Sequence, residues 1–225
     1  MLRAAGFESY PAMTMAGSRI DRIPADQFNH SVTLVKVDGR YHLLDPTWVP
    51  GVRELWSSAE QQQEYLMGVP EGADLASTPV SPPENHFLRY RIDSAVGEDG
   101  TLRGKVVVEA EGQSDSSLRR TFTRYPIHLW KEALAREFFH VHPSAKVTDV
   151  GYPDPFDISK PMCIEFRIEI PGYVKKGARA AMVRPLSASL PFQGALGFVW
   201  LNTGIEKREY PFRLRCSQRV ELNET

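Results

Sequence analysis

Two β-prone runs, Val32 to Val37 and Tyr41 to Leu44, are separated by only three residues that include the dipeptide Asp38-Gly39. Asp-Gly supplies the positive φ angles that a two-residue type I′ hairpin turn requires at both loop positions. With Asp38 and Gly39 as the loop, Val37 faces Arg40 and Val32 faces Asp45. His30 then sits one diagonal step from Asp45. Side chains alternate faces along a strand, so His30, Val32 and Asp45 share one face. Diagonal neighbours lie about 7–8 Å apart at Cα, a gap that an imidazole and a carboxylate can close with one hydrogen bond. A three-residue loop would put the two on opposite faces. A carboxylate holding Nδ1–H fixes the imidazole tautomer and leaves Nε2 to activate a nucleophile. The bland alternative is a solvated surface pair.

Around this hairpin, Met1 to Ala5 reads as the end of a helix stopped by Gly6, and Tyr10 to Ala16 as a strand. Glu54 to Met67 is expected to be helical, with Leu55, Ala59, Gln62 and Leu66 along one side and Gly68 as the stop. Pro70, Pro79, Pro82 and Pro83 mark residues 70–84 as an extended, non-helical linker. Formal charge also changes there, from net −4 up to Pro83 to net +3 after it. The expected organisation is one domain over 1–69, the linker, and a β-rich second domain over 85–225.

In the second part, Phe87 to Val96 and Leu102 to Glu111 flank Asp99-Gly100 and form another expected hairpin. Ser114 to Phe139 is a helical region broken near Pro126, with Leu118, Phe122, Leu129, Ala133 and Leu134 as its apolar face. Strands are expected at Lys146 to Tyr152, Cys163 to Ile170, Ala178 to Arg184, Gly197 to Leu201 and Tyr210 to Leu222. In Cys163 to Ile170, Ile164, Phe166, Ile168 and Ile170 alternate with Cys163, Glu165, Arg167 and Glu169, the period of a sheet with one buried face. The fold class is therefore α+β, mostly antiparallel.

Balanced charge, 27 basic against 28 acidic residues in 225, excludes a global attraction to nucleic acid or anionic membrane. Nothing approaches the roughly 18 uninterrupted apolar residues of a transmembrane helix. The first eight residues lack the apolar centre of a secretory signal, so the chain is either cytoplasmic or part of something longer. Cys163 and Cys216 can form neither a disulfide framework nor a four-ligand zinc site by themselves. His140-Val141-His142 would place two imidazoles on one face if extended, but lacks a third ligand with fitting spacing. Asp154 and Asp157, which flank Pro155 and Phe156, are explained by an Asp-Pro turn without calcium, and Arg119-Arg120 with Arg124 by a solvated basic face. No metal or cofactor is expected.

The runs Asn29-His30-Ser31-Val32, Asp38-Gly39 and Leu44-Asp45-Pro46-Thr47-Trp48 together resemble the catalytic hairpin of the transglutaminase-like superfamily of papain-related thiol enzymes. Met1 to Glu8 followed by Tyr10-Pro11-Ala12 is similar to the end of that family's nucleophile helix and its exit into the next strand. The resemblance covers about residues 1–75. Less specifically, Glu71-Gly72, Ser81-Pro82-Pro83, Gly112-Gln113-Ser114-Asp115 and Tyr210-Pro211-Phe212 are similar to the β-rich C-terminal extension of large exported bacterial members.

The resemblance implies a partial papain-like core followed by a β-rich accessory domain. It makes His30 and Asp45 two members of a Cys/His/Asp triad, with Trp48 either walling the substrate pocket or serving as a core aromatic. The family's Cys would lie roughly ten residues before Met1. Neither Cys163 nor Cys216, both in β-patterned runs, suits an activated thiol, which wants a helix N-terminus or a cationic neighbour. The implied chemistry is acyl transfer or hydrolysis at a carboxamide or peptide bond of a protein or peptide substrate, in the periplasm or at the cell surface. This chain alone would be inactive without the thiol. The alternative is a noncatalytic binding or structural module that keeps a degenerate papain-like core as scaffold.

Overall fold

Asp38 (φ 50°) and Gly39 (φ 75°) both take the positive φ of a type I′ turn. The computed structural model describes residues 1–15, 28–45, 47, 60–196, 206–207 and 217–225. Strand β2 (His30–Val37) pairs with β3 (Arg40–Leu44) from Val37 opposite Arg40 to Thr33 opposite Leu44, the register of a two-residue loop. Before it, a single 3₁₀ turn (Arg3–Ala5) is stopped by Gly6 at φ 87°. Strand β1 (Ser9–Thr14) then runs antiparallel to β2. Trp48, Cys216, Gly197 to Leu201 and the start of the Tyr210 to Leu222 run lie outside the described residues.

The chain divides into two compact units, Met1–Pro82 with Thr203–Ser217, and Pro83–Asn202 with Gln218–Thr225. In the first, an antiparallel sheet has the order β3-β2-β1-β4-β5, where β4 is Glu64–Met67 and β5 is Ala76–Ser77. The helix expected over Glu54 to Met67 is corrected for its described part. Gln62 sits at φ 58°, which an α-helix cannot accommodate, and Tyr65, Leu66 and Met67 pair with the edge of β1. A strand edge carrying unpaired backbone groups outweighs the helical spacing of a few apolar residues. Ala12, Val32, Leu34 and Leu43 form the buried cluster of this sheet, with Tyr10, Tyr41, Tyr65 and Met67 against it.

The second unit is a two-layer α+β assembly. Its main sheet has the order β12-β6-β7-β9-β8, with β6 Phe87–Val96, β7 Leu102–Ala110, β8 Lys146–Gly151, β9 Cys163–Ile170 and β12 Arg219–Glu224. All neighbours are antiparallel except β12, which lies parallel to β6. The sheet is thus mixed, because the last strand returns to the β6 edge from elsewhere in the chain rather than by a hairpin. A two-stranded ribbon pairs β10 (Lys175–Lys176) with β11 (Ala181–Met182), all that forms of the strand expected over Ala178 to Arg184.

Helices α1 (Gln113–Thr123) and α2 (Trp130–Val141) supply Leu118, Phe122, Leu134, Phe138 and Val141 to one core with Leu88, Tyr90, Val106, Val108 and the alternate residues Ile164, Phe166, Ile168 and Ile170 of β9. Phe138 packs on Phe166 with ring centroids 4.6 Å apart. The opposite sheet face carries ion pairs across strands, among them Arg89–Glu221 at 2.6 Å, Lys105–Glu165 at 2.8 Å and Arg103–Glu169 at 3.0 Å. Exposed pairs of this kind contribute little each, about 0–1 kcal/mol, but they keep that face polar. His140 belongs to α2 and His142 ends it, so the two imidazoles do not line one face of a strand.

Arg119 is the main departure from the expected solvated basic face. It is fully buried. Its Nε donates to Asp115 Oδ2 at 2.7 Å and its Nη2 to Asp115 Oδ1 at 3.3 Å. The remaining guanidinium hydrogens go to the carbonyls of Pro155 (2.8 Å), Asp157 (3.1 Å) and Lys160, and the Met162 N–H donates to Asp115 Oδ1 at 2.6 Å. The ion pair thereby fastens the loop between β8 and β9 onto α1. Within that loop, Phe156 N–H and Ser159 N–H close Asx turns on Asp154 and Asp157. Burial pushes the Asp115 carboxyl up, while Arg119 and the Met162 N–H pull against it. At the start of α1, buried His86 accepts the Gln113 N–H at Nδ1 (3.2 Å), and a Cβ on Gly112 (φ 59°) would collide with that nitrogen and the Asn85 carbonyl.

Removing one partner leaves an uncompensated buried charge, at a cost of about 3–5 kcal/mol. Arg119→Ala should therefore destabilise the second unit by that amount in urea unfolding, whereas Arg103→Ala on the outer sheet face should change stability by less than about 1 kcal/mol.

Candidate active site

The hairpin register delivers His30 and Asp45 to the same face, as the residue count requires. His30 Nε2 lies 3.1 Å from Asp45 Oδ2, with the imidazole 18% exposed and the carboxylate fully buried. His30 is the first residue of β2, opposite Thr14 of β1, and Asp45 directly follows β3. Each sits where a strand of the sheet ends, so a rigid ladder carries side chains that can still face a substrate. Asp45 is fixed on its other side by the Thr47 N–H, which donates to Oδ1 at 3.0 Å. The Thr of the Asp-Pro-Thr-Trp run thus orients the carboxylate through an Asx turn.

Burial drives the Asp45 carboxyl upward, but hydrogen bonds from the Thr47 hydroxyl and backbone, the His30 hydrogen bond and the imidazole charge together hold it below its usual range. An ionised carboxylate only accepts, so Nε2 carries the hydrogen and Nδ1 is the nitrogen left for another partner. That reverses the expected use of the two ring nitrogens. The tautomer is still fixed by the carboxylate, which is what base catalysis needs.

Glu60 completes the cluster and was missed in the sequence. Its Oε2 lies 3.9 Å from His30 Nε2, and its side chain is 7% exposed. A hydroxyl relay positions it: Thr78 donates its Oγ1 hydrogen to the Glu60 carbonyl at 2.7 Å and accepts the Gln63 N–H at 2.8 Å, while Thr78 N–H reaches the Gln63 carbonyl at 2.7 Å. The only signal in the sequence is the polar run Glu60-Gln61-Gln62-Gln63 ahead of an apolar strand, and three of the four residues, Glu60, Gln61 and Gln63, are buried. His30, Asp45 and Glu60 each offer one ligand atom, all within 4.8 Å of one another, the one such group among the described residues.

Cys163 does not join this cluster. It lies on β9 in the second unit, half-buried, and burial together with Glu109 and Glu165 raises its thiol pKa. Such a thiol stays protonated and is a poor nucleophile.

Compared with models of protein families, with curated proteins and with solved structures, the chain matches none.

Because its folded-state pKa is depressed, Asp45 stabilises the fold fully above its ordinary pKa near 3.8, and that contribution is lost as pH falls through the lower folded value. The native chain should lose stability on acidification below about pH 3.8 more steeply than Asp45→Asn, measured as Tm against pH. Equal slopes for the two would show that the Asp45 carboxylate makes no differential contribution.

Proposed function

We propose that residues 1–82 provide the His and Asp half of a transglutaminase-like thiol active site, with His30 as the acid–base residue, Asp45 as its orienting carboxylate and the nucleophilic Cys contributed by a segment preceding Met1. The observation that carries this reading is the 3.1 Å contact between a partly exposed imidazole and a buried carboxylate at the ends of adjacent hairpin strands. A His paired with a thiolate takes the imidazolium form, and Asp45 stabilises that charge. The thiolate attacks a carboxamide or peptide carbonyl, His30 protonates the departing ammonia or amine, and water or a second amine then attacks the thioester. The periplasm or cell surface is the location that goes with this reading.

The test is thiol reactivity. A polypeptide extended upstream to include a Cys should label with iodoacetamide near neutral pH. His30→Ala should suppress labelling by raising the thiol pKa, and Asp45→Ala should weaken it less. Unchanged labelling in His30→Ala would remove His30 from the role. The chain as given should show no thiol-dependent hydrolysis or amine incorporation.

A second reading rests on Glu60. One imidazole and two carboxylates meeting within 4.8 Å form a nitrogen–oxygen donor set suited to a divalent cation such as Zn²⁺ or Mn²⁺. A rise in Tm with added Zn²⁺ that is abolished by Glu60→Gln would favour a metal-dependent function over the thiol one, whereas no rise would leave Glu60 as a neighbour that orients His30.

A further inference from the structure

From Ile170 to Ile205 the sequence carries Lys175, Lys176, Arg179 and Arg184 but no aspartate or glutamate, in a chain with 28 acidic residues. The four cations fall on and beside the ribbon in which β10 and β11 pair only with each other. The Gly177 N–H donates to the Ala180 carbonyl at 2.7 Å, which puts Ala178 and Arg179 at the tip. Lys175 lies opposite Met182 and Lys176 opposite Ala181, so each lysine shares a face of the ribbon with an apolar side chain. Every residue from Lys175 to Arg184 is exposed, Met182 to 65% and Val183 to 52%.

The base of the ribbon is anchored. Tyr173 packs against the core of the second unit, and its hydroxyl donates to the Arg184 carbonyl. The Val174 N–H donates to the Gly100 carbonyl at 3.1 Å. Lys176 Nζ donates to the Glu98 carbonyl at 2.6 Å and Arg184 Nη2 to the Ala188 carbonyl at 2.8 Å. These carbonyls hold the two cations in place without cancelling their charge. None of the four cations forms an ion pair among the described residues, whereas Arg89, Arg103 and Lys105 of the outer sheet face all do. Of the carboxylates around the base, Asp99 lies 3.5 Å from Arg103, and Glu224 accepts the N–H groups of Leu186 (2.8 Å) and Ser187 (2.9 Å). With Glu98 counted as well, one carboxylate stands against four cations, and the ribbon keeps a positive excess.

We propose that this ribbon docks on the surface of an anionic phospholipid bilayer. Lys175, Lys176, Arg179 and Arg184 lie at the headgroup phosphates, and Met182 and Val183 enter the boundary between headgroups and acyl chains. Apart from its cations, the run from Val174 to Val183 holds only valine, glycine, alanine and methionine. Long cationic side chains reach the phosphate layer while their apolar neighbours leave water, the division of labour that an interfacial element requires. A nucleic acid also offers phosphates, but the run has no aromatic ring to stack on a base and no amide or hydroxyl to bond its edge. It would also leave Met182 and Val183 in water. The net −1 of the chain confines the attraction to this patch. The surface stands apart from the His30 cluster and does not depend on the reading given to it.

Vesicle co-sedimentation of the full chain tests the proposal. In dilute salt it should bind vesicles of equimolar phosphatidylglycerol and phosphatidylcholine, and bind phosphatidylcholine alone far less. Each cation at an anionic surface is worth about fivefold in partitioning, so Lys175→Gln combined with Arg179→Gln should weaken binding about twenty-five-fold with Tm unchanged. Met182→Ser should also weaken binding but leave its salt dependence as it was, because the lost contribution is apolar. Lys105→Gln removes a cation already paired with Glu165 and should leave binding unaltered. Equal binding to both vesicle types, no binding to the anionic ones, or binding indifferent to the Lys175 and Arg179 substitutions would overturn the proposal. Undiminished binding by Met182→Ser would overturn the seating of apolar side chains in the bilayer. Capture of a duplex oligonucleotide without binding to vesicles would overturn it equally, and assign the ribbon to a nucleic acid.

Discussion

The two-residue loop at Asp38-Gly39 is the constraint from which the candidate site follows. A strand alternates its side chains with period two, so lengthening that loop by one residue would shift β3 against β2 and turn either His30 or Asp45 to the other face. Positive φ at Asp38 and Gly39 excludes the longer loop, and the resulting ladder from Val37–Arg40 to Thr33–Leu44 carries the pair to its 3.1 Å contact. Backbone chemistry at a turn thereby decides that the imidazole and the carboxylate meet on one face at the far end of the hairpin. The same ladder aligns β1, and through β1 the strand β4 that follows Glu60.

A different interaction governs the second unit. Burying a guanidinium and a carboxylate costs several kcal/mol per ion unless nearly every hydrogen-bonding position is filled. Around Arg119 and Asp115 they are filled by three carbonyls and a backbone N–H from the loop between β8 and β9. The pair adds little net stability over an apolar substitute. What it imposes is a unique position for a loop that otherwise has only turn residues to define it. With α1 anchored on that side, its other face, bearing Arg120 and Arg124, is turned toward α2.

Much of the local structure was legible. The apolar alternation of Cys163 to Ile170 matches β9 residue for residue, and Pro126 separates α1 from α2 where the chain loses a backbone donor. Local signals failed where a distant partner overrode them. Leu66 has helical spacing with Leu55, Ala59 and Gln62, but an open edge of β1 recruits Tyr65 to Met67 as a strand. Arg119 looks like its neighbour Arg120, and nothing in the one-dimensional pattern tells which of the two will meet Asp115 and three carbonyls inside the protein.

Taken alone, the sequence determined what depends on neighbours along the chain: turn type, strand register, the face shared by His30 and Asp45, and the apolar period of the central strands. These are set by φ preferences and by side-chain alternation, which act over a few residues. Tertiary structure decided which imidazole nitrogen meets the carboxylate, the arrival of Glu60 from thirty residues away, the parallel return of β12 and the burial of Arg119. Each of these depends on segments remote in sequence satisfying one another's hydrogen bonds or charges, and that complementarity exists only once the chain has folded.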